Sequence, residues 1–167
     1  SVLIMSYEHW DAIFETTDEA RLGWYESDTS LTWKMLEPAG PGDGRTVFLA
    51  GIGTSSLADE MAKAGWSLIL NDLSSVALSI LEGRLSAGAD AQLVTQSAAD
   101  PLPDDLPKVD LWVDRAALHF LTDGQAIDAY FQNLRGLLKP GGFVLLAEFA
   151  PDGASRCAGL PVHRYSV

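Results

Sequence analysis

The feature that most constrains the fold is a regular alternation of short apolar runs and helical segments after residue 45. Each run has the length of a β-strand, and turn residues or a segment with helical spacing separate it from the next. The predicted strands are Thr46–Ala50, Ser67–Leu70, Ala91–Thr95, Val109–Val113 and Phe143–Phe149. Apolar strands that alternate with helices are typical of a parallel sheet buried on both faces. The sequence therefore predicts an α/β fold with a doubly wound sheet.

Helices are predicted on both sides of a turn-rich joint, Pro38–Arg45, which neither a helix nor a strand tolerates. They are recognised by apolar residues that recur at spacings of three and four, and by their capping residues. The predicted helices are Tyr7–Phe14, Leu31–Leu36, a stretch that ends at Ala64, Ser74–Leu85 and Ala126–Leu138.

Composition and charge exclude several classes of protein. The chain has 167 residues, of which 47% are hydrophobic and 20% charged, so we expect one globular domain. No apolar stretch approaches the roughly 20 residues that span a bilayer, and the single Cys157 supports neither a disulfide framework nor a Cys-based zinc site. The net charge of −12 argues against a nucleic-acid partner. We expect a cytoplasmic protein with no membrane segment and no metal site.

Two glycines and one acidic residue carry the strongest functional signal. The first strand runs through Gly51 and Gly53 into a helix, which allows a tight turn and a close backbone approach to a ligand. Asp72 stands at the end of the second strand, where a carboxylate is the expected acceptor for ribose hydroxyls. In such sheets ligands bind outside the carboxyl ends of the strands. With the Lys139–Gly142 turn before the fifth strand, these residues favour a nucleoside-binding site.

Over residues 46–149 the sequence resembles the class I S-adenosylmethionine-dependent methyltransferases. Gly51 and Gly53 match the family's glycine loop beneath the methionine moiety, Asp72 matches its ribose-binding acid, and residues 138–143 match the turn that enters strand five. The resemblance implies a Rossmann-like sheet of five parallel strands in the order 3-2-1-4-5, with helices on both faces and an N-terminal helical segment. It also implies S-adenosyl-L-methionine as cofactor and methyl transfer to a small-molecule or protein acceptor.

Two shorter segments resemble particular branches of the family. Asp114–His119 is similar to the segment after strand four in the seven-strand protein lysine methyltransferases. Trp10 and Trp24–Glu26 are similar to the aromatic N-terminal region of that group and of thiopurine-methyltransferase-like bacterial proteins. The expected single domain then consists of a helical lid (1–37), a cofactor-binding core (46–149) and a C-terminal tail (150–167).

Three positions depart from the family pattern. Leu49 stands where the family usually has an acid, and Ser55 replaces the third glycine of the loop. The acid that commonly meets the adenine amine is displaced to Asp100, which leaves Ser97 as the hydroxyl after strand three. Each lost charged hydrogen bond weakens binding by about 1–3 kcal/mol. Ser55 and Ser97 are still predicted to belong to the cofactor site.

The catalytic candidates follow strand four. Methyl transfer from a sulfonium mainly requires alignment of donor and acceptor, and a base only when the acceptor carries a proton. Asp114 is predicted to face the cofactor and the acceptor, with a cap of the following turn as the alternative. His119 is the imidazole best placed to act as a base, with a packed histidine as the alternative.

The acceptor side is predicted to be lined by aromatic and charged residues. Trp10, Trp24 and Tyr25 are candidates for an aromatic lid, which favours a sulfonium or methylammonium cation. Burial of the N-terminal helices on the sheet is the alternative for Trp10. Arg115 is a candidate substrate clamp or a structural ion-pair partner, and Glu148 is expected at the mouth of the site.

The tail is expected to leave one edge of the sheet exposed. The family's sheet ends with an antiparallel hairpin of strands six and seven, whereas residues 150–167 are expected to form only a loop and a short turn. An uncovered strand edge is an aggregation hazard. We therefore expect either a homodimer or the C-terminal segment to cover the edge of strand five.

Two other functions fit part of the pattern. The glycine pair and Asp72 also match a nicotinamide-dependent oxidoreductase, whose third glycine would fall at Ser56. No second half for the nicotinamide follows, and the Lys139–Gly142 turn favours the methyltransferase. A methyltransferase-like binding or scaffold protein without turnover is the other alternative, because of Leu49, Ser55 and the expected loss of the hairpin.

Overall fold

The computed structural model of the protein describes residues 29–115, 117–118, 121, 123–149, 157–159 and 163–164. The helices in this part are α1 (Ser30–Leu36), followed by a 3₁₀ helix (Glu37–Ala39), α2 (Leu57–Lys63), α3 (Ser75–Arg84) and α4 (Gly124–Leu137). The strands are β1 (Thr46–Ala50), β2 (Ser67–Asp72), β3 (Ala91–Thr95), β4 (Val109–Asp114), β5 (Leu138–Phe149), β6 (Cys157–Gly159) and β7 (His163–Arg164). The helix predicted over Tyr7–Phe14 lies outside the described residues.

The first five strands form a parallel sheet in the order β3-β2-β1-β4-β5, which confirms the predicted Rossmann-like topology. β1 lies at the centre, with Val47 opposite Leu68 of β2 on one side and opposite Leu111 of β4 on the other. From β1 the chain adds β2 and β3 on one side of the sheet and then returns to add β4 and β5 on the other side. The topological switch point therefore lies between the neighbouring strands β1 and β4. In open α/β sheets this switch point is where ligands bind.

Both faces of the sheet are covered, because successive side chains of a strand point to opposite faces. Val47 and Leu49 belong to the core layer under α1, α2 and α3. Phe48 belongs to the opposite layer, together with Trp112 of β4 and Tyr130 of α4. The rings of Phe48 and Trp112 are stacked, with their centroids 4.0 Å apart. The apolar runs of the sequence are thus strands buried on both sides.

β5 begins earlier than the sequence predicted. The Lys139–Gly142 segment was expected to be a turn before the strand, but β5 already starts at Leu138. The register against β4 is irregular here, since Val109 is opposite Leu138 whereas Leu111 is opposite Phe143. The predicted turn is therefore a bulge within the strand, which Gly141 permits with a φ of +78°.

The outer edge of β5 pairs with the C-terminal segment. β6 is antiparallel to β5, with Glu148 opposite Ala158, and β7 is antiparallel to an earlier part of β5, with Val144 opposite His163. The expectation that residues 150–167 form only a loop and a short turn is therefore wrong. The alternative expectation, that the C-terminal segment covers this edge, is confirmed for the paired residues. A homodimer stays a prediction.

α1 is attached to α2 through one carboxylate. Trp33 Nε1 donates a hydrogen bond of 2.9 Å to Glu60 Oε2, and the Thr29 hydroxyl donates to the same oxygen. Trp33 also packs against the core layer under α1, α2 and α3. No helix in the described ranges has the length and apolar character needed to cross a membrane.

The joint between α1 and β1 packs tightly on the turn after α2. Gly42 is buried, and a Cβ added to it would lie 2.6 Å from the carbonyl oxygen of Ala64 and 2.8 Å from the carbonyl carbon of Gly65. The Gly44 amide donates to the Gly65 carbonyl at 2.9 Å. The guanidinium of Arg45 lies 4.7 Å from the ring centroid of Trp66. The composition of the joint is thus dictated by backbone contact as well as by turn geometry.

We predict that Gly42→Ala lowers the free energy of unfolding by about 1–3 kcal/mol, because the contacted atoms are backbone and cannot move aside. Gly83→Ala is the matched control, since a Cβ added there meets nothing within 4 Å beyond the backbone of its own helix. It should be neutral or stabilising by up to about 1 kcal/mol. Urea unfolding followed by circular dichroism measures both, and equal stabilities would contradict the packing described for the joint.

Candidate functional site

The carboxyl ends of β1, β2 and β4 lie side by side. Ala50 is opposite Asp114 of β4, and Leu49 is opposite Leu70 of β2. The loop after β1 is also tied to β2, because the Ile52 amide donates to the backbone carbonyl of Asn71 at 2.9 Å. The glycine loop, the end of β2 and the start of the loop after β4 therefore form one continuous edge.

The predicted glycine turn is present after β1. Gly51 has a φ of +58° and Gly53 a φ of +54°, a backbone region that residues with a side chain rarely adopt. A Cβ added to Gly51 would lie 2.6 Å from the Cβ of Ala117. The glycine loop thus packs directly against the loop that follows β4, and the first glycine is required by both its conformation and this contact.

Asp72 joins the glycine loop to the start of α3. Its Oδ2 accepts a hydrogen bond from the Gly53 amide at 2.9 Å, and its Oδ1 accepts one from the Ser74 amide at 2.9 Å. Ser74 in turn caps α3, since its hydroxyl accepts from the Ala77 amide at 3.1 Å. Asp72 is half-buried. The carboxylate is thus fixed in position while part of its side chain stays accessible from solvent.

Asn71 is a structural residue of the site that sequence reasoning missed. Its side chain is buried, and its Nδ2 donates to the carbonyls of Val94 at 3.0 Å and Gln96 at 2.9 Å. Its Oδ1 accepts from the Gly51 amide at 3.4 Å. One amide group thus connects the ends of β1, β2 and β3. The sequence did contain an indication of this role, because Asn71 follows the apolar run of β2 and directly precedes Asp72.

The loop after β3 contains Ser97, which was predicted to supply a hydroxyl. Ser97 is half-buried, and its Oγ accepts from the Ala99 amide at 3.1 Å. The loop is held to α4 by Asn133, whose Nδ2 donates to the carbonyls of Ala98 at 2.8 Å and Asp100 at 2.7 Å. The side chain of Asp100 is exposed. The loop is therefore held on both sides of Ser97, by Asn71 at Gln96 and by Asn133 at Ala98 and Asp100.

Asp114 is buried, with 1% of its surface exposed. Its Oδ1 accepts from the Ala117 amide at 2.7 Å, and its Oδ2 accepts from the Leu118 amide at 2.9 Å and from the Tyr130 hydroxyl at 2.6 Å. The Tyr130 hydroxyl accepts from Trp112 Nε1 at 2.9 Å. These contacts are the turn cap that the sequence analysis gave as the alternative for Asp114, and they extend into the core under α4.

Arg115 and Ser55 meet across the edge of the site. Arg115 Nη1 donates to Ser55 Oγ at 3.2 Å, and the same oxygen accepts from the Leu57 amide at 3.2 Å. Arg84 approaches from the other side, where its Nη2 donates to the Ser55 carbonyl at 3.1 Å and forms an ion pair with Asp59 at 2.7 Å. The residue that replaces the third glycine is therefore a point of contact between three segments. Neither arginine contact was predicted from the sequence.

Comparison with known protein families supplies the deciding observation. A model of the methyltransferase domain family matches residues 47–142, which is more than half of the chain and includes both glycines, Asp72 and Asp114. This chain belongs to that family. The predicted relationship to class I S-adenosylmethionine-dependent methyltransferases is thereby confirmed, and S-adenosyl-L-methionine is the family's cofactor. The more specific likeness to the lysine and thiopurine branches stays a prediction. A search of curated proteins gives no significant match for the methyltransferase domain.

Solved structures share the fold of this methyltransferase domain at low sequence identity. One, from work on the conversion of a disulfide bond into a thioacetal group during echinomycin biosynthesis, is 24% identical with a TM-score of 0.68 and covers 87% of this chain. The N-methyltransferase NodS of Bradyrhizobium japonicum, with S-adenosyl-L-homocysteine, is 14% identical with a TM-score of 0.69 and covers 94%. Phosphoethanolamine N-methyltransferase 1 of Haemonchus contortus is 16% identical with a TM-score of 0.69 and covers 98%. The methyltransferase domain spans 63%, 80% and 37% of these three chains respectively.

Five of the predicted site residues, or their side chains, lie outside the part of the chain that the structure describes. His119, Trp10, Trp24 and Tyr25 lie outside the described residues. Glu148 lies in β5, but its side chain is outside the described part. The described part brings together Gly51, Gly53, Ser55, Asp72, Ser97, Asp114 and Arg115 at the carboxyl ends of the strands.

We predict that Tyr130→Phe lowers the free energy of unfolding of the methyltransferase domain by about 1–3 kcal/mol. The substitution deprives a buried carboxylate of a hydrogen-bond donor and the Trp112 indole of its acceptor. Ser79→Ala removes an exposed hydroxyl from α3 and should stay within about 0.5 kcal/mol of the parent. Chemical denaturation of the two variants tests this, and equal stabilities would show that the network contributes little.

Proposed function

We propose that this methyltransferase domain binds S-adenosyl-L-methionine across Gly51, Gly53 and Asp72 and transfers its methyl group to a small-molecule or protein acceptor. The observation that carries the proposal is the hydrogen bond from the Gly53 amide to the Asp72 carboxylate. It holds the glycine turn next to an acid at the switch point of the sheet, where a nucleoside ligand is expected.

The residues at this edge fit the proposed cofactor. The backbone of Gly51 and Gly53 is proposed to face the methionine end, and Asp72 is the proposed acceptor for the ribose hydroxyls. The Asp72 carboxylate is half-buried and held by two backbone amides, which fixes its position at the solvent-accessible edge of the sheet. Ser97 is the proposed hydroxyl group of the adenine side, and Ser55 is proposed to support the glycine loop on the methionine side.

The chemistry needs little from the protein beyond alignment. When bound, S-adenosyl-L-methionine supplies a methyl group on a sulfonium, which the lone pair of an acceptor attacks in line with the leaving sulfur. We propose Asp114 as a positioning residue, because its carboxylate holds the amides of Ala117 and Leu118. His119 is the proposed base for an acceptor that carries a proton.

The acceptor is proposed to enter between the N-terminal aromatic residues and the loop after β4. Trp10, Trp24 and Tyr25 are proposed to face the acceptor, with Arg115 and Glu148 at the rim of the site. A nucleic-acid acceptor is disfavoured by the net charge of −12, since a phosphate backbone is bound mainly through basic residues. This leaves a small molecule or a protein side chain as the proposed acceptor class.

We predict that the protein binds S-adenosylhomocysteine and that Asp72→Asn weakens this binding by about 10- to 100-fold. Loss of a charged acceptor costs about 1.5–3 kcal/mol, and 1.4 kcal/mol corresponds to a factor of ten. Calorimetric titration measures the affinity. Asp104→Asn makes the same chemical change at an exposed position and should leave the affinity unchanged.

The same titration, combined with an assay of methyl transfer, separates the alternative functions. Binding of NADH with no response to S-adenosylhomocysteine would support a nicotinamide-dependent oxidoreductase and overturn the proposal. Binding of S-adenosylhomocysteine without methyl transfer to any acceptor would support a binding protein without turnover. Thermal unfolding of Asp72→Asn is recorded in parallel, so that a loss of affinity is not confused with a loss of fold.

We predict that methyl-labelled S-adenosylmethionine donates its label to an acceptor of one physical class. The protein is incubated with the labelled cofactor and separately with a small-molecule extract and with a protein fraction. Transfer into acid-soluble products indicates a small molecule, and transfer into precipitated protein indicates a side chain. Asp72→Asn is the control for enzyme-dependent transfer, and equal labelling with the variant would contradict the prediction.

A further inference from the structure

Ser55 occupies the third glycine position of the loop without adopting a glycine conformation. Among the described residues other than glycine, Asp43 alone has a positive φ. The backbone of Ser55 thus accepts a side chain, and its amide donates to the Ile52 carbonyl at 3.2 Å within the turn. A glycine would satisfy the backbone here equally well, so the hydroxyl adds contacts that the turn itself does not require.

The Ser55 hydroxyl makes the contact that a glycine cannot make. Its Oγ accepts from the Leu57 amide at the start of α2 and from Arg115 Nη1 at the end of β4, both at 3.2 Å. A hydroxyl oxygen has two lone pairs, and these two donors account for both. The side chain is therefore a bridge between the first turn of α2 and the loop after β4.

A second, independent contact joins the same two loops. The Cα of Gly51 approaches Ala117 so closely that a Cβ would lie 2.6 Å from the Ala117 Cβ. Arg115 and Ala117 lie on either side of residue 116, in the segment whose amides Asp114 holds. The loop after β4 thus contacts the glycine loop through Arg115 and through Ala117, and it is held to the end of β4 by Asp114.

We propose that Ser55 and Arg115 form a coupling pair, through which occupancy of the glycine loop fixes Arg115 and the neighbouring amides of Ala117 and Leu118. Both are positioning residues, and the inference rests on the proposed function because it assumes that the glycine loop holds the cofactor. A ligand that fixes the glycine loop fixes the Ser55 hydroxyl, and through Arg115 it stabilises the Ala117 and Leu118 amides on the side proposed to meet the acceptor. Bound cofactor then favours acceptor binding.

A double-mutant cycle on S-adenosylhomocysteine affinity tests the pair. We expect Ser55→Gly and Arg115→Met each to weaken binding by roughly 5- to 20-fold, less than for a buried hydrogen bond to a charged group because the contact is partly exposed. The double variant should lose no more than the stronger single variant, because either substitution already removes the shared contact. Ser55→Thr retains the hydroxyl and should restore affinity to within about threefold of the parent.

Two controls separate the coupling from a general loss of structure. Arg84 contacts the Ser55 carbonyl, which a glycine retains, so Arg84→Met and Ser55→Gly should have additive effects. Arg135→Met makes the same change as Arg115→Met at an exposed position of α4 and should not alter the affinity. Melting temperatures of all variants are measured alongside.

Amide hydrogen exchange gives a readout that a purely structural role would not change. We expect S-adenosylhomocysteine to slow exchange at the Ala117 and Leu118 amides in the parent protein, and this ligand-dependent change to be lost in Ser55→Gly and in Arg115→Met. Additive losses in the cycle, or ligand-dependent protection retained in both variants, would overturn the coupling pair alone. No binding by the parent protein would overturn the proposed function and the inference with it.

Discussion

The site depends on the topological switch point between the parallel strands β1 and β4. Both strands are buried on both faces, and their carboxyl ends adjoin because Ala50 is opposite Asp114. The polypeptide leaves these neighbouring ends by two different loops that diverge to opposite faces of the sheet. The glycine loop and Asp114 lie where those loops separate, and Asp72 ends the next strand, so the topology fixes the location before any particular side chain is considered.

Three polar side chains fix the loops at this switch point, and each forms hydrogen bonds to backbone groups. Asp72 holds the amides of Gly53 and Ser74, Asn71 links three strand ends, and Asp114 holds the amides after β4. Buried polar groups are stable only when they are hydrogen-bonded. These side chains therefore hold the loops to the strand ends through hydrogen bonds to the loop backbone. The half-buried Asp72 is the one of the three that a ligand reaches most readily.

The sequence predicted the strand order, the glycine turn and the position of Asp72, because these follow from local patterns and from the family resemblance. It did not predict the bond between Ser55 and Arg115, or the network of Asp114, Tyr130 and Trp112. Those contacts join residues far apart in the chain, and Tyr130 has the same spacing as its apolar neighbours in α4. The pairing of the C-terminal segment with the edge of β5 was only one of two alternatives in the prediction. The strands Cys157–Gly159 and His163–Arg164 are too short to show a recognisable alternation of apolar and polar residues.

The close approach of Gly51 and Ala117 has an evolutionary consequence. The two positions belong to different loops and are far apart in sequence, yet they share one volume that holds a single methyl group. Because Gly51 has a φ of +58°, its position accepts only glycine readily, and the steric constraint therefore falls on Ala117. Among homologues of this chain that keep this turn, the residue at the position of Ala117 should therefore stay small, which gives a criterion for sorting relatives whose site retains this geometry.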